Sequence, residues 1–558
     1  MRIWTTLILS ISLVTAIAQN VFWAKNAIGS DLDEGNSIAV DSSGNTYITG
    51  QFESTTLNFG LASCTNSTSP SYTDVFIAKF DVNGNCLWAK SAGGSESDYG
   101  AAIAVDNSGN VFVTGRFSSP TMNFDGTTIT NSNMTDIFIA KYNSSGVIQW
   151  AKAIGGYYDE EGVSISCDDS NNVYLSGYFD SSSLNFGAQS VTNNGSEDLF
   201  LAKFNATGIN QWAVGIGGND TDKATAVKTD NNGNSFITGY YGSPSVSFGT
   251  TTLTNSGIDG CLFVAKYDNS GNALWATSGS AVGGDIKANG ISIDGNGNSF
   301  VAGTFDGSAA TIGTSTMTNN HPTYDNTFTA KFDNNGAPQW AVNAISGTEG
   351  NEAYCIAADN EGNSFISGWF TPPTVTFGSI VLNGGSFGDN IFLVKYNNAG
   401  QVQSAHRFAG TGMSGGYGNS IACDNSGNAF LTGYFEGTSM VFGSTTLTNT
   451  TFSTYDVYWT KIAPGCTGID NTIRPFTEIF PNPCSGQLFI KNPFTAGSKI
   501  TLIIYSMQSL IVKTLNLSRE FSGQEQILVD LSGLTAGVYF LKIETEKEMI
   551  MEKLIIEK

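Results

Sequence analysis

Positive charge is the scarcest commodity in this chain. Its 558 residues set 25 Lys and Arg against 48 Asp and Glu, a net charge of −23, which works against nucleic acid and against anionic membrane surfaces. A cation, a basic protein or a neutral glycan suits it better. Histidine is scarcer still, with only His321 and His406, too little material for a multi-histidine metal site or a histidine-based triad. No Gly-x-x-x-x-Gly-Lys-Ser/Thr run is present to cradle a phosphate. Beyond the first residues no apolar stretch approaches the ~20 residues of a membrane span. What the chain has in quantity is glycine, 65 residues, with 40% hydrophobic and 12% aromatic content, which excludes wholesale disorder.

The glycines follow a period. The stretch Ile103-Ala104-Val105-Asp106-Asn107-Ser108-Gly109-Asn110-Val111-Phe112-Val113-Thr114-Gly115 has six counterparts, their Asp at Asp41, Asp168, Asp230, Asp294, Asp359 and Asp424, at intervals of 62 to 65 residues. Such a period makes each copy one structural unit. Each reads as a β-hairpin, the Asp accepting backbone N–H bonds in the turn and Gly taking the positive φ. In the third copy Asn171 replaces that Gly, and Asn also tolerates the left-handed region. A polar loop with a Leu57-Asn58-Phe59-Gly60-like element follows, then a third strand from Asp to Lys-aromatic, as in Asp74 to Phe80, and a fourth strand bearing Trp. The Trp set is Trp23, Trp88, Trp150, Trp212, Trp275 and Trp340, with Ser404 in the sixth unit.

The last unit ends after its third strand, while the N-terminus supplies a lone fourth-type strand at 21–28. Pairing the two closes a ring, so the expected fold is all-β: a seven-bladed β-propeller over 19–463, four strands per blade. An open solenoid is the alternative, but its exposed edge strands need caps that the chain does not supply.

Met1-Arg2-Ile3 and the apolar run to Ala18 read as a cleaved signal peptide, residues 1–18, so the expected location is secreted or at the outer cell surface, as a monomer. Eight Cys in an exported chain invite disulfides. Cys64 and Cys86, however, are expected at opposite ends of a blade, and Cys167 with Cys423 lie in non-adjacent units. Most Cys therefore read as buried small residues, and Cys466 with Cys484 is the one pair worth testing.

A residue present in every unit is explained by the blade. The repeated Lys79-type and Asp41-type residues are expected to form seven Lys–Asp contacts at one rim. The Asp-x-x-Gly-Asn turns lack the bidentate carboxylate of an EF-hand loop. Candidate function falls instead where the copies differ, around one channel mouth: Arg116, Tyr178, Tyr240, Trp369 and Tyr434 at second-strand ends, with Tyr99, Tyr157 and Tyr417 from the loops, as ligand contacts. Asp33, Asp98, Asp159 and Asp222 are the candidate metal ligands. No cofactor is required, although a divalent cation such as calcium suits these acids. Exposed rings beside carboxylates suit sugars. Three readings stand at this point: a non-enzymatic binding or adhesion propeller, a polysaccharide-active enzyme using two mouth carboxylates, and a structural spacer.

The repeat pattern, Gly-Gly-x-x-x-Asp followed by Ile-Ala-Val-Asp-x-x-Gly-Asn-Val-Tyr-Val-Thr-Gly, resembles the SBBP β-propeller repeats across 21–463, a family that implies a fold and no reaction. After a linker at 464–474, residues 475–558 resemble the C-terminal sorting domain of type IX secretion cargo. Phe480-Pro481-Asn482-Pro483, Ile500 to Tyr505 and Leu531 through Gly537-Val538-Tyr539-Phe540 carry that resemblance; Met507-Gln508-Ser509 stands where the family often has Gly. It implies a small antiparallel β-sandwich recognised by the secretion machinery, with Pro481, Asn482, Pro483, Gly537 and Tyr539 as sorting residues, usually removed when the cargo is released or anchored. From Arg474 to Lys558 there are nine basic and nine acidic residues, so the acidity belongs to the repeats.

Overall fold

The Asp turn is the local unit from which the fold grows. In the computed structural model Asp41 Oδ1 accepts the backbone N–H of Ser43 and Asn45 at 3.0 and 2.9 Å, and its Oδ2 accepts Asn45 Nδ2 at 2.8 Å. The same set recurs at Asp106, Asp168, Asp230, Asp294, Asp359 and Asp424. Asn171 takes φ 61°, the left-handed conformation expected of it. The structure describes residues 21–463 except for short runs within loops, and parts of 479–557. The proposed signal peptide, the linker, Cys466, Pro481, Asn482, Pro483 and Met507-Gln508-Ser509 lie outside the described residues.

Each turn joins a first strand to a second, and two more strands complete an antiparallel blade, as in Asp98–Val105, Val111–Phe117, Asp136–Tyr142 and Ile148–Ile154. Seven such blades follow one another, the seventh built from Gly416–Cys423, Ala429–Glu436, Tyr455–Ile462 and the N-terminal strand Val21–Asn26. That last pairing aligns Trp23 with Lys461 and closes the ring. An eighth four-stranded antiparallel sheet exists, but it belongs to the C-terminal unit and not to the ring.

Packing between blades comes from a clasp. Trp88 Nε1 donates to Ser144 O in the next blade's turn at 3.2 Å, and Trp23, Trp150, Trp212, Trp275 and Trp340 repeat the bond to Val82, Ala206, Asn269, Asn334 and Asn398. The turn glycine rests on the indole: a Cβ built on Gly146 would lie 2.8 Å from Trp88, and φ there is +76°, so no side chain fits. Ser404 now has a reason. Its partner would be the turn joining the third and fourth strands of blade 7, and those two strands, Tyr455–Ile462 and the N-terminal Val21–Asn26, are not consecutive in the chain.

The seven Lys–Asp contacts are not what forms. Each Lys pairs across the ladder with an aromatic residue and lies 4.6 to 5.1 Å from that ring, from Lys79 over Tyr47 to Lys461 over Phe430. Lys79 and Lys141 donate to Ser144 O and Ala206 O, and Lys203, Lys266 and Lys331 to Asn269, Asn334 and Asn398, all in the following blade. Lys461 of the set does reach a turn Asp, Asp424 at 3.8 Å. The Asp oxygens are taken up within their own turns, so the lysines turn to the neighbouring blade.

Two further expectations change. The Leu-Asn-Phe-Gly loops are short hairpins, such as Thr121–Phe124 with Thr127–Thr130, and three of them add to the outer edge of the preceding blade. Their apolar residues are buried, Leu57 and Phe124 completely, so an exposed edge is covered. In blade 1 the same hairpin folds over its own fourth strand. Cys64 and Cys86 therefore share one apolar cluster as free thiols rather than sitting at opposite ends. Third strands begin at Asp74, Asp136 and Asp198, but at Cys261, Asn326 and Asn390 in blades 4 to 6.

The C-terminal unit is described separately. Ile479–Phe480, Gln487–Lys491 and Gln526–Asp530 form one sheet; Ile511–Leu517, Ile500–Ser506, Gly537–Thr545 and Met549–Ile556 form the other. Cys484, Leu488, Leu502, Ile504, Val529 and Leu541 make its core. Cys484 is a free buried thiol. Gly537 opens the third strand of the larger sheet in extended conformation, and the Tyr539 hydroxyl donates to Thr535 O at 2.9 Å.

If the clasp carries the ring, Trp212→Ala should cost about 2–4 kcal/mol and lower the calorimetric unfolding midpoint.

Candidate functional site

The ladder places the variable residues together. The second residue of each first strand pairs with the next-to-last residue of the second strand's repeat core, giving Glu34–Gln51, Tyr99–Arg116, Glu161–Tyr178, Lys223–Tyr240, Lys287–Thr304, Glu352–Trp369 and Tyr417–Tyr434. First strands start at the mouth and run to the Asp turn, so these seven pairs ring the mouth. Seven of the eight expected ligand contacts are in this ring. The eighth, Tyr157, is 66% exposed on a separate loop, edge-on to Tyr158 at 5.1 Å.

The rings are not the exposed platforms that the sequence led one to expect; they are half-buried and engaged with neighbouring side chains. Arg116 lies over Tyr99 at 4.6 Å and pairs with Glu161 at 2.9 Å. Tyr178 donates to the same carboxylate at 2.7 Å and carries Lys223 over its face at 3.9 Å, with Lys223 closed by Glu197 at 2.8 Å. Tyr240 carries Lys287, held by Asp285 at 2.6 Å. This half of the mouth is self-neutralised.

The other half, over blades 6, 7 and 1, is aromatic and acidic. Trp369 and Tyr417 have ring centroids 6.0 Å apart, Tyr417 and Tyr434 stack at 5.0 Å, and Tyr434 and Tyr455 stack at 4.8 Å. Trp369 Nε1 donates to the Tyr354 hydroxyl at 2.8 Å, and Tyr417 donates to Asp389 at 2.6 Å. Glu352 lies within hydrogen-bonding reach of Asp325, Tyr354 and Trp369; burial and then the Asp325 charge push its carboxyl up to about 7. Glu34, hydrogen-bonded by Gln51 at 2.9 Å, is raised by burial and then by Glu53.

The candidate metal ligands do not converge. Asp33, Asp98 and Asp222 are buried at the starts of three different first strands, and each accepts a serine hydroxyl, from Ser54, Ser119 and Ser243 at 2.6 to 2.8 Å. Asp159 is exposed; the buried acid at its place in the repeat is Glu160. Among the described residues no group of three His, Cys, Asp or Glu gathers to hold a metal. These acids act instead as loop anchors, with Gly218 N–H donating to Asp222 at 2.8 Å and Gly156 N–H to Glu160 at 3.0 Å. Burial pushes Asp33, Asp98 and Glu160 up to about 7. His406 is buried in an outer strand and His321 sits in a loop.

Sequence reasoning missed Lys223, Lys287, Tyr354 and Tyr455. The two lysines were within reach, because they occupy the repeat position of Tyr99 and Tyr417. Tyr354 is the extra residue of a β-bulge between Ala353 and Cys355, which turns it toward Trp369.

Comparisons with known proteins bear on both units. Residues 478–557 match the family described as the secretion system C-terminal sorting domain, and residues 3–51 and 87–116 match the β-propeller repeat family SBBP. An uncharacterized WD repeat-containing protein, L264, of Acanthamoeba polyphaga mimivirus is 25% identical over 507 residues, covering 74% of this chain and 36% of that one. The regulatory protein FlaEY of Caulobacter vibrioides is 27% identical over 262 residues, 44% of this chain and 27% of its own. The chain thus spans about a third of the length of these curated relatives. Among solved structures, PorZ, an essential surface component of the type-IX secretion system of Porphyromonas gingivalis, overlays 96% of this chain and all of its own at 9% identity and TM-score 0.17. A Bacillus subtilis glycoside hydrolase family 43 arabinoxylan arabinofuranohydrolase overlays 95% and 94% at 12% identity and TM-score 0.24. Overlays this loose carry no shared site.

A carboxyl raised in the fold favours the protonated protein. The stabilisation from Glu352 is complete below its ordinary 4.5 and is lost as pH rises toward about 7. Unfolding midpoints should therefore fall across that window, and Glu352→Gln should flatten the fall; an unchanged slope in differential scanning fluorimetry would contradict the burial of this group.

Proposed function

We propose that this protein, a β-propeller of SBBP-type repeats carrying a secretion-system C-terminal sorting domain, is a binding or adhesion protein of the cell surface that takes its ligand at the mouth over blades 6, 7 and 1. Export follows from the tail: the sorting domain sends the chain through type IX secretion to the surface or the extracellular space. No helix among the described residues is long and apolar enough to cross a membrane.

The observation that carries the reading is the run of four rings, Trp369, Tyr417, Tyr434 and Tyr455, beside Glu34, Glu352 and Asp389. Blade-building residues recur in the copies, whereas this run is confined to two of the seven. Half-buried aromatic residues with polar ends, held rigid by stacking, are the side chains that dominate binding interfaces.

A second reading, a polysaccharide-active enzyme, is favoured by Glu352, whose pKa near 7 suits a general acid. Its neighbour Asp325 is within hydrogen-bonding reach, closer than the roughly 5 to 9.5 Å that separates an acid from its nucleophile or base in glycosidases. The Asp325 charge raises the Glu352 carboxyl while the hydrogen bond from Glu352 favours the charged form of Asp325, so the two act on each other rather than divide the work. The binding reading is therefore preferred.

Glycan-array and pull-down capture by the full chain should be lost, by at least tenfold in signal, in a Trp369→Ala/Tyr434→Ala variant that keeps the wild-type unfolding midpoint. Turnover of a polysaccharide that disappears in Glu352→Gln would favour the enzyme instead.

A further inference from the structure

Two seams of the mouth show what its rings hold. Between blades 3 and 4, and again between blades 4 and 5, the second strand of one blade presents a tyrosine and the first strand of the next lays a lysine over it: Lys223 on Tyr178 at 3.9 Å and Lys287 on Tyr240 at 5.2 Å. A carboxylate closes each, Glu197 and Asp285. Arg116 on Tyr99, closed by Glu161, is a third ring with its own cation. The seam between blades 7 and 1 keeps the tyrosine, Tyr434, and backs it with Tyr455, but the lysine position holds Glu34. The charges of Glu34 and Glu436 both bear on Tyr434 and Tyr455. Among the described residues no Lys or Arg lies over Trp369, Tyr417, Tyr434 or Tyr455. The runs 385–387, 411–414 and 450–453, outside the described residues, contain no Lys or Arg in the sequence.

Resting on the binding reading above, we propose that this seam takes its cation from outside, as an arginine or lysine side chain of a basic polypeptide segment. The ring quadrupole attracts the cation and the carboxylates neutralise it, the combination the chain itself uses between blades 3 and 4 and between blades 4 and 5. A metal ion fits less well, because rings do not ligate it and no three acids converge. A neutral glycan would leave Glu34 and Glu436 uncompensated. Acids spread over adjacent seams, Asp389 beyond Glu34 and Glu436, match more than one cation spaced along an extended chain. The net charge of −23 draws such a chain toward the protein.

The test is fluorescence anisotropy with a labelled peptide of alternating arginine and glycine, using the full chain near physiological salt. Glu34→Lys installs the lysine found in the two filled seams, so it should weaken the peptide at least tenfold without lowering the unfolding midpoint. Glu34→Gln/Glu436→Gln should weaken it similarly. Asp169→Asn/Glu361→Gln removes the same two charges at the opposite rim and should change affinity less than twofold. Equal weakening by both pairs, or no peptide binding by the wild type, overturns the proposal. A neutral glycan whose capture is lost in Trp369→Ala/Tyr434→Ala but unchanged in Glu34→Lys overturns it while leaving the binding reading intact; indifference of every ligand to every mouth variant removes both.

Discussion

The grip of each outer-strand tryptophan on the next blade's turn is the contact on which this molecule depends. A four-stranded blade cannot bury both faces alone, and the indole, the turn glycine beneath it and the adjacent lysine join one blade to the next in a single direction. Trp88 on Gly146 is repeated by Trp340 on Gly400, and Trp23 brings the last blade onto Gly84 of the first. Ser404 faces the blade whose third and fourth strands are not consecutive in the chain. Channel-side contacts reinforce the same direction, with Asn36 donating to Gly100 O, Asn289 to Ala353 O and Asn419 to Gly35 O.

The mouth inherits its geometry from those seams. Because blade follows blade at a fixed register, the second strand of one and the first of the next always bring the same two positions face to face. Chemistry then varies by substitution alone: tyrosine with lysine in two seams, arginine with glutamate in another, ring on ring between blades 6 and 7. Local charge balance differs accordingly. Blades 2 to 5 answer each cation with a carboxylate, whereas blades 6, 7 and 1 collect rings and acids, and there Glu352 and Glu34 are pushed toward their neutral forms, first by burial and then by the charges of Asp325 and Glu53. One scaffold thus holds an inert half and a receptive half.

How far the sequence alone reached can be judged from particular residues. The period, the Asp turns, the left-handed Asn171 and the closure through Trp23 were all legible, since each depends on short-range chemistry or on counting strands. Arg116, Tyr99, Tyr178, Tyr240, Trp369, Tyr417 and Tyr434 were correctly gathered at one mouth because strand parity assigns them there. Their engagement was not legible: whether Tyr178 is open or covered depends on Lys223, 45 residues away in the next blade. The lysines of the third strands were assigned to turn aspartates on the ground of charge, yet those aspartates had already spent their oxygens on their own backbone. Asp33, Asp98 and Asp222 looked like a metal set because they share a mouth, but each is buried in its own blade with a serine.

By itself, then, the sequence determined the repeat, the all-β class, the ring closed by its own N-terminal strand, and the separate neutral tail, all of which follow from periodicity, turn chemistry and composition. Only the tertiary structure decided which mouth residues satisfy one another and which are left over. The reason is physical: hydrogen bonds, ion pairs and ring contacts are short-ranged, and across a blade seam they join residues far apart in the sequence, such as Tyr178 and Lys223, so their pairing is set by how neighbouring blades pack rather than by anything adjacent along the chain.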